Sequence, residues 1–165
     1  MINSGEARTG PHWTRISGLT AAVTLLAVAL LGCVQPVGPA RTFDSYEHKA
    51  KHTAETALSG VQTARLAART AKNDDAFAPF LAVVVSEAED EASNAQTTFD
   101  SVQPPDDKSD RLRERLDLLL VQAANALSDA RIAARRADFE ELAKQAKPLQ
   151  SSAKKLKDFV EVHDR

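Results

Sequence analysis

The sequence predicts an all-α protein: an antiparallel up-down four-helix bundle that follows a signal peptide and a short tether. Aromatic residues make up only 5% of the chain, whereas alanine is abundant and Gly and Pro fall at the expected joints, which favours helices over strands. Apolar residues recur every three or four positions in each of four stretches between residues 42 and 165. The connections between these stretches are short, so consecutive helices should pack antiparallel.

The first helix starts after Thr42, and Asp44 and Glu47 form an acidic first turn that suits the positive end of the helix dipole. We expect this helix to end near Asn73. Its apolar seam alternates steps of four and three: Ala50, Ala54, Ala57, Val61, Ala64, Ala68 and Ala71.

Asp74 or Asp75 can cap a second helix, with Pro79 in its first turn, where a missing amide donor costs little. Pro104–Pro105 should end it. Its predicted seam contains Phe77, Leu81, Val84, Ala88, Ala92, Ala95, Phe99 and Val102.

A third helix opens at Ser109 or Asp110, and a fourth follows Asp138, which forms a capping box with Glu141. Pro148 should bend the fourth helix without ending it, because the apolar pattern resumes in register. The third seam includes Leu112, Leu116, Leu119, Ala123, Leu127 or Ala126, Ala130, Ala133 and Ala137, with Leu120, Leu127 and Ala134 in a second row. The fourth includes Phe139, Leu142, Ala146, Leu149, Ala153, Leu156, Val160 and His163.

Charged residues are distributed unevenly among the helices. No Lys or Arg lies between Asn73 and Asp107, whereas the first and third helical segments carry an excess of basic residues. An acidic second helix should therefore lie between two basic neighbours. Because exposed ion pairs contribute little each, these charges would select the arrangement more than stabilise it.

The bundle order gathers the aromatic residues at its two ends. Phe43, Tyr46, Phe99 and Phe159 fall at one end, and Phe77, Phe80 and Phe139 fall at the other. We interpret them as two plugs around a narrow alanine-rich middle, which leaves little room for a cofactor. The alternative is that one plug is incomplete and opens into a binding cleft.

The start of the chain has the features of an export signal. Arg8 and Arg15 precede an apolar run, Ile16–Leu31, which at about 16 residues is shorter than the roughly 20 needed to span a bilayer. The run ends in Leu30-Leu31-Gly32-Cys33, and Cys33 is the only cysteine of the chain. This stretch resembles the lipobox of bacterial lipoproteins.

The resemblance implies cleavage between Gly32 and Cys33 and attachment of a diacylglycerol to the Cys33 thiol. Such a chain is exported and anchored to a bacterial membrane, at the outer face of the plasma membrane or, where there are two membranes, at the outer one. It also implies three parts: a signal peptide over residues 1–32, the lipidated Cys33 with a Pro/Gly tether over 33–41, and the bundle over 42–165. The tether could hold the bundle about 20 Å from the membrane.

One candidate metal site lies on the first helix. His48 and His52 are four residues apart and Glu55 follows one turn later, so all three could face one ion. These positions fall on the outward face of the helix, however, and a tight zinc site needs further ligands. A solvated face is the simpler interpretation, and His163 should instead be a partly buried histidine near Tyr46.

The sequence contains no pattern that indicates catalysis. It has no Cys-x-x-Cys-His haem motif, no Gly-rich phosphate loop and no Gly-x-Ser-x-Gly nucleophile elbow. The formal net charge of −2 argues against a nucleic-acid partner. We therefore expect a non-enzymatic protein with no cofactor beyond the lipid.

The leading functional hypothesis is an interaction module that binds a protein of the cell envelope. Its candidate surface combines the aromatic end away from the tether with the acidic second helix: Asp75, Phe77, Phe80, Glu87, Glu89 and Asp90. The alternatives are a small-ligand or metal binder and a structural spacer. Oligomeric state stays open, because an alanine seam can pack within one chain or between chains.

Overall fold

The computed structural model describes residues 39–71 and 77–164, which form four helices and, within those ranges, no strand. They are α1 (Phe43–Thr70), α2 (Ala78–Asp100), α3 (Asp107–Arg135) and α4 (Phe139–Val162). The predicted all-α four-helix bundle is confirmed. The predicted signal peptide and Cys33 lie outside the described residues.

Each of α1 and α3 packs against both α2 and α4. The start of α1 meets the end of α4 through the Lys51–Asp164 ion pair, and the start of α3 meets the end of α2 through Arg113 and Asp100. Neighbouring helices therefore run antiparallel, as predicted. The backbones of α1 and α3 also approach each other across the bundle, whereas those of α2 and α4 do not.

The diagonal contact follows from the size of the side chains on α1 and α3. The inward face of α1 is mostly alanine and that of α3 is alanine over much of its second half, and all seven predicted seam positions of α1 are buried. Small side chains allow two helix axes to approach closely, since the distance between axes depends on the residues at the contact. The bundle is therefore narrow between α1 and α3 and wide between α2 and α4.

Two helix starts differ from the prediction. α3 begins at Asp107, because Asp106 is its cap: the Asp106 carboxylate accepts hydrogen bonds from the backbone N–H (2.8 Å) and the hydroxyl (2.9 Å) of Ser109. These bonds also satisfy the buried Ser109 hydroxyl. Because Asp106 is the cap, Ser109 and Asp110 lie inside the first turn and do not open the helix. At α2 the N-cap position is Phe77, without a side-chain bond, and Asp74 and Asp75, the expected caps, lie outside the described residues.

The other helix ends agree more closely with the sequence. Pro79 lies in the first turn of α2, and α4 continues through Pro148. Asp138 caps α4 by accepting a hydrogen bond from the Glu141 backbone N–H at 2.9 Å. Ala137, predicted to be a seam residue, is exposed and has φ of 52°, a left-handed conformation that makes the tight turn between α3 and α4.

The bundle has a base and a tip. We call the base the end that holds residues 42–46, 99–107 and 159–164, and the tip the end that holds 70–71, 77–81 and 135–139. At the base, the Tyr46 and Phe99 rings pack with centroids 5.2 Å apart beside the buried Phe159, which confirms the first aromatic plug. Ala40, which the sequence analysis assigned to the tether, is also buried as part of the hydrophobic core.

The prediction of a second aromatic plug at the tip is wrong. At the tip, Phe77 and Phe80 are 69% and 60% exposed, and only Phe139 packs against the core. The cause is the register of α2, in which Val85 is fully buried and Val84 only partly. This register turns Phe80 to the outside.

Gly60 of α1 is required by a close backbone approach to α2. A Cβ at this position would lie 2.6 Å from the backbone carbonyl oxygen of Ala88, and α2 would have to move to relieve the clash. A backbone atom cannot rotate away as a flexible side chain can.

Gly60→Ala should therefore lower the free energy of unfolding by up to about 2 kcal/mol, because overpacking costs about 1–3 kcal/mol and the gain in helix propensity returns about 1 kcal/mol. Chemical denaturation measures it. Ser59→Ala, at the exposed neighbouring position, is the matched control and should be neutral or slightly stabilising. Equal stabilisation by both substitutions would contradict the close approach.

Candidate functional site

The structure leaves His48, His52 and Glu55 on the exposed face of α1. Glu55 lies 3.6 Å from the Lys51 amine, one turn earlier. Within residues 39–71 and 77–164, no group of three His, Cys, Asp or Glu side chains is placed to hold a metal ion. The structure thus supplies no further ligand to the predicted pair.

His163 lies near the start of α1, as expected, and its partner is Glu47. The imidazole Nδ1 and the Glu47 carboxylate oxygen are 2.6 Å apart, and the ring packs on Phe159 with a centroid distance of 4.5 Å. The His163 side chain is only 10% exposed. This histidine joins α4 to α1 at the base.

The predicted partner surface divides into two parts along α2. Phe77 and Phe80 are exposed at the tip, followed by Val83 at 54% exposure. Glu87 and Asp90 are exposed further along the helix, whereas Glu89 turns toward α3. Asp75, the sixth predicted residue, lies outside the described residues.

A groove of about 480 Å³ runs between α2 and α3. Ala57 of α1, Ala92 of α2 and Ala123 of α3 are among its lining residues. Because all three side chains end at Cβ, the facing helices leave open space between them. Polar groups also line the groove, chiefly Ser86, Asp90, Ser93 and Gln96 from α2 and Arg131 and Arg135 from α3.

An ion pair between Glu89 and Arg131 spans this groove. The Arg131 Nε donates to the Glu89 carboxylate, and their side chains are 21% and 28% exposed for Glu89 and Arg131 respectively. Asp90 and Arg135 line the same groove without an ion pair among the described residues. The groove therefore offers one charge of each sign to a bound molecule.

The ion pairs correct the predicted charge pattern. α2 pairs with α3 through Glu89–Arg131 and Asp100–Arg113, as expected. Between described residues, however, α2 makes no ion pair with α1, because Arg65 and Arg69 line grooves on the α4 side of α1. The acidic helix is thus paired on one side only.

Two polar side chains, Tyr46 of α1 and Asp117 of α3, have buried atoms that the sequence pattern did not indicate. The Tyr46 hydroxyl and one Asp117 carboxylate oxygen are buried, and neither has a hydrogen-bond partner among the described residues. Burial raises the pKa of Tyr46 to about 12. Burial and the neighbouring Asp100 carboxylate raise the pKa of Asp117, against the opposing effect of Arg113. In the sequence, only the position of Asp117 beside the seam residue Leu116 hints at its burial.

Asp117 should make the protein less stable as the pH rises. A folded pKa above the ordinary 3.8 means that the folded state binds more protons than the unfolded state above that pH, so the free energy of unfolding falls as the pH increases. Asp117→Asn should therefore stabilise the protein at pH 7, by an amount that shrinks toward pH 4. Denaturation across this range measures it, with Glu114→Gln, at an exposed site on α3, as the control. A variant less stable than the parent at pH 7 would contradict the burial argument.

No protein-family model, curated protein or solved structure matches this chain. None of the four described helices is both long and apolar enough to cross a bilayer.

Proposed function

We propose that the protein is an exported lipoprotein of the bacterial envelope, anchored through Cys33, whose helical bundle binds another protein through α2. The anchor is supported by the order of basic residues, apolar run and Leu30-Leu31-Gly32-Cys33. A thioether-linked diacylglycerol with further acylation gives stable attachment, since each buried methylene contributes about 0.8 kcal/mol. The bundle is the part that meets the partner.

One observation carries the binding proposal: three large apolar side chains are exposed in succession on the first turns of α2 and on the residue that precedes it. Phe77, Phe80 and Val83 are 69%, 60% and 54% exposed. Scattered single apolar residues on a surface are ordinary, but a contiguous group marks a site of interaction. Aromatic side chains are also the commonest anchors of protein interfaces.

The surroundings of this apolar group favour a partner with basic character. Glu87 and Asp90 continue along the exposed side of α2 and have no ion pair among the described residues. A protein that covers Phe80 and Val83 would bring its own charged rim against these carboxylates. Electrostatic complementarity of that kind selects the partner and speeds association more than it adds affinity.

The α2/α3 groove supports binding rather than catalysis. Its most enclosed charged groups, Glu89 and Arg131, are paired with each other. A general base or nucleophile would need a partner that activates it, and these two groups engage only each other. The groove instead offers serine hydroxyls and small apolar surfaces, which suit a docked segment of polypeptide.

Cys33→Ala should abolish lipid attachment and cleavage, because the thiol is the acceptor and the lipidated cysteine is what the dedicated peptidase recognises. The variant should keep residues 1–32 and fail to incorporate labelled fatty acid, as intact mass and radiolabelling in an exporting bacterium would measure. Val34→Ala, one position later, should mature normally. A Cys33→Ala chain that loses residues 1–32 and still carries fatty acid would overturn the anchor.

A photoreactive residue placed at Val83 of the anchored chain should crosslink to a protein in living cells, whereas one at Ser59 of α1 should not. Phe80→Ala should then reduce the Val83 adduct about tenfold or more, since a buried aromatic anchor is worth about 2 kcal/mol in an interface. Its own free energy of unfolding should change by less than about 0.5 kcal/mol, because Phe80 is exposed. Equal adducts at Val83 and Ser59 would argue against α2 as the binding surface.

A further inference from the structure

A basic groove runs between α1 and α4. Two adjoining concavities of about 550 and 640 Å³ share Arg65, Lys147 and Gln150 in their linings. Among the described residues, no carboxylate lines either of them. We call this the basic groove, and its cations are Arg65, Arg69, Lys144, Lys147, Lys154 and Lys157. From Lys144 to Lys157 it extends about 20 Å along α4.

Several of these cations are not neutralised within the described chain. Lys144 lies near Glu140 and Glu141, and Lys157 lies 3.4 Å from Glu161, all on α4 itself. Arg65, Lys147 and Lys154 have no carboxylate within ion-pair distance in residues 39–71 and 77–164. The middle of the basic groove is therefore open to an anionic partner.

α2 has the complementary surface. Phe80, Val83, Glu87 and Glu91 follow one another at helical spacing on its exposed side, and we call them the α2 strip. No Lys or Arg occurs anywhere in α2.

The spacing of the charges matches on the two surfaces. Glu87 and Glu91 are one turn apart, about 6 Å along the axis, and so are Arg65 and Arg69 in the basic groove. Both surfaces also carry apolar groups. The aliphatic stems of the groove lysines and the 66% exposed Leu66, next to Arg65, can cover Phe80 and Val83. A helix with acidic and apolar residues is thus the occupant that the groove fits.

The α2 strip cannot fill the basic groove of its own chain. α2 and α4 are the one pair of described helices whose backbones do not approach each other closely, because the close approach of α1 and α3 separates them. The two surfaces lie on different sides of the bundle. Any contact between them must therefore join two copies.

From these contacts we propose that a second copy of this chain docks its α2 strip into the basic groove, which rests on the proposed function in taking α2 as a binding surface. The contact is heterologous, since different surfaces meet, and each copy still has one free surface after pairing. Such contacts repeat head to tail and build rows rather than closed dimers. The partner of basic character that α2 requires is then a second copy of the same chain.

The association is weak in solution. One docked helix buries less area than the standard protein interface, and exposed ion pairs contribute little each. Salt screens such pairs, so the association falls as ionic strength rises. Anchoring in a membrane raises the local concentration of copies and favours the rows there.

Zero-length crosslinking of the full chain in mild detergent tests the contact directly. A carbodiimide joins a carboxylate to a lysine amine as an amide with loss of water, so it records ion pairs that touch. We expect a link between Glu87 or Glu91 and Lys147 or Lys154 at low salt, lost at high salt. Because the backbones of α2 and α4 do not approach each other closely, and no α2 carboxylate pairs with an α4 lysine among the described residues, this link reports two copies.

Variants that remove arginine charges test the basic groove without changing any group that the carbodiimide can join. Arg65→Gln/Arg69→Gln keeps every reactive carboxylate and amine, yet should reduce the α2–α4 link about tenfold. Arg111→Gln/Arg115→Gln, an exposed arginine pair of the same spacing on α3, is the matched control and should leave the link unchanged. Circular dichroism and denaturation of each variant establish that it folds like the parent.

Mixing two defective variants gives the sharpest outcome. Glu87→Gln/Glu91→Gln and Arg65→Gln/Arg69→Gln should each stay monomeric by native mass spectrometry. Their equimolar mixture should form a dimer and nothing larger, because one strip and one groove remain intact.

Three results would overturn the self-docking: no α2–α4 link in the parent, a link unaffected by Arg65→Gln/Arg69→Gln, or a mixture no more associated than its components. If photocrosslinking at Val83 then captures a different protein, the self-docking fails while the proposed function stands. If it captures nothing, both fail.

Discussion

The close packing of α1 against its neighbours is the constraint on which the rest of this structure depends. Alanine fills the α1 seam, and Gly60 allows the backbone of α2 to approach so closely that a single Cβ would meet the Ala88 carbonyl oxygen. α3 is also rich in alanine on its inward face and touches α1 across the bundle. Tight packing on this diagonal forces α2 and α4 apart, because the four helices must surround a core without voids.

This separation explains why the acidic surface of α2 and the basic surface of α4 are not paired with each other. α2 keeps its carboxylates away from the lysines of α4, and α3 neutralises Glu89 and Asp100 only. Glu87, Asp90 and Glu91 therefore face solvent on one side while Arg65, Lys147 and Lys154 face solvent on another. A bundle whose opposite charges are held apart in this way is suited to contact other molecules, and in the proposed account those molecules include further copies of the chain.

The sequence predicted the helices and the core where periodicity alone decides the outcome. In α1 every seam residue from Ala50 to Ala71 is buried, since no competing register exists. In α2 the run Val83–Val84–Val85 offers three apolar residues in succession, so spacing alone could not show which one faces inward. The structure buries Val85, and this choice places Phe80 in solvent and removes the second aromatic plug.

Helix ends and polar contacts were less predictable for a related reason. Asp106, Ser109 and Asp110 can each cap a helix, and the outcome depends on which carboxylate reaches both Ser109 donors. The burial of one Asp117 carboxylate oxygen depends on how α3 is rotated against α1, which local sequence does not define. The candidate surface on α2 was largely identified from charge and aromatic residues, but the basic groove was not, because its lining comes from two helices distant in sequence.

We propose that α2 is covered by protein in the envelope and exposed when the chain is isolated. Carboxyl and hydroxyl-radical footprinting of the full chain, in intact cells and after purification at high salt, measures this at Glu87, Glu91 and Phe80. Glu114 on the exposed side of α3 is the internal reference. We expect Glu87, Glu91 and Phe80 to be strongly protected in cells, relative to Glu114, and to lose that protection after purification. Equal modification in both states would contradict it.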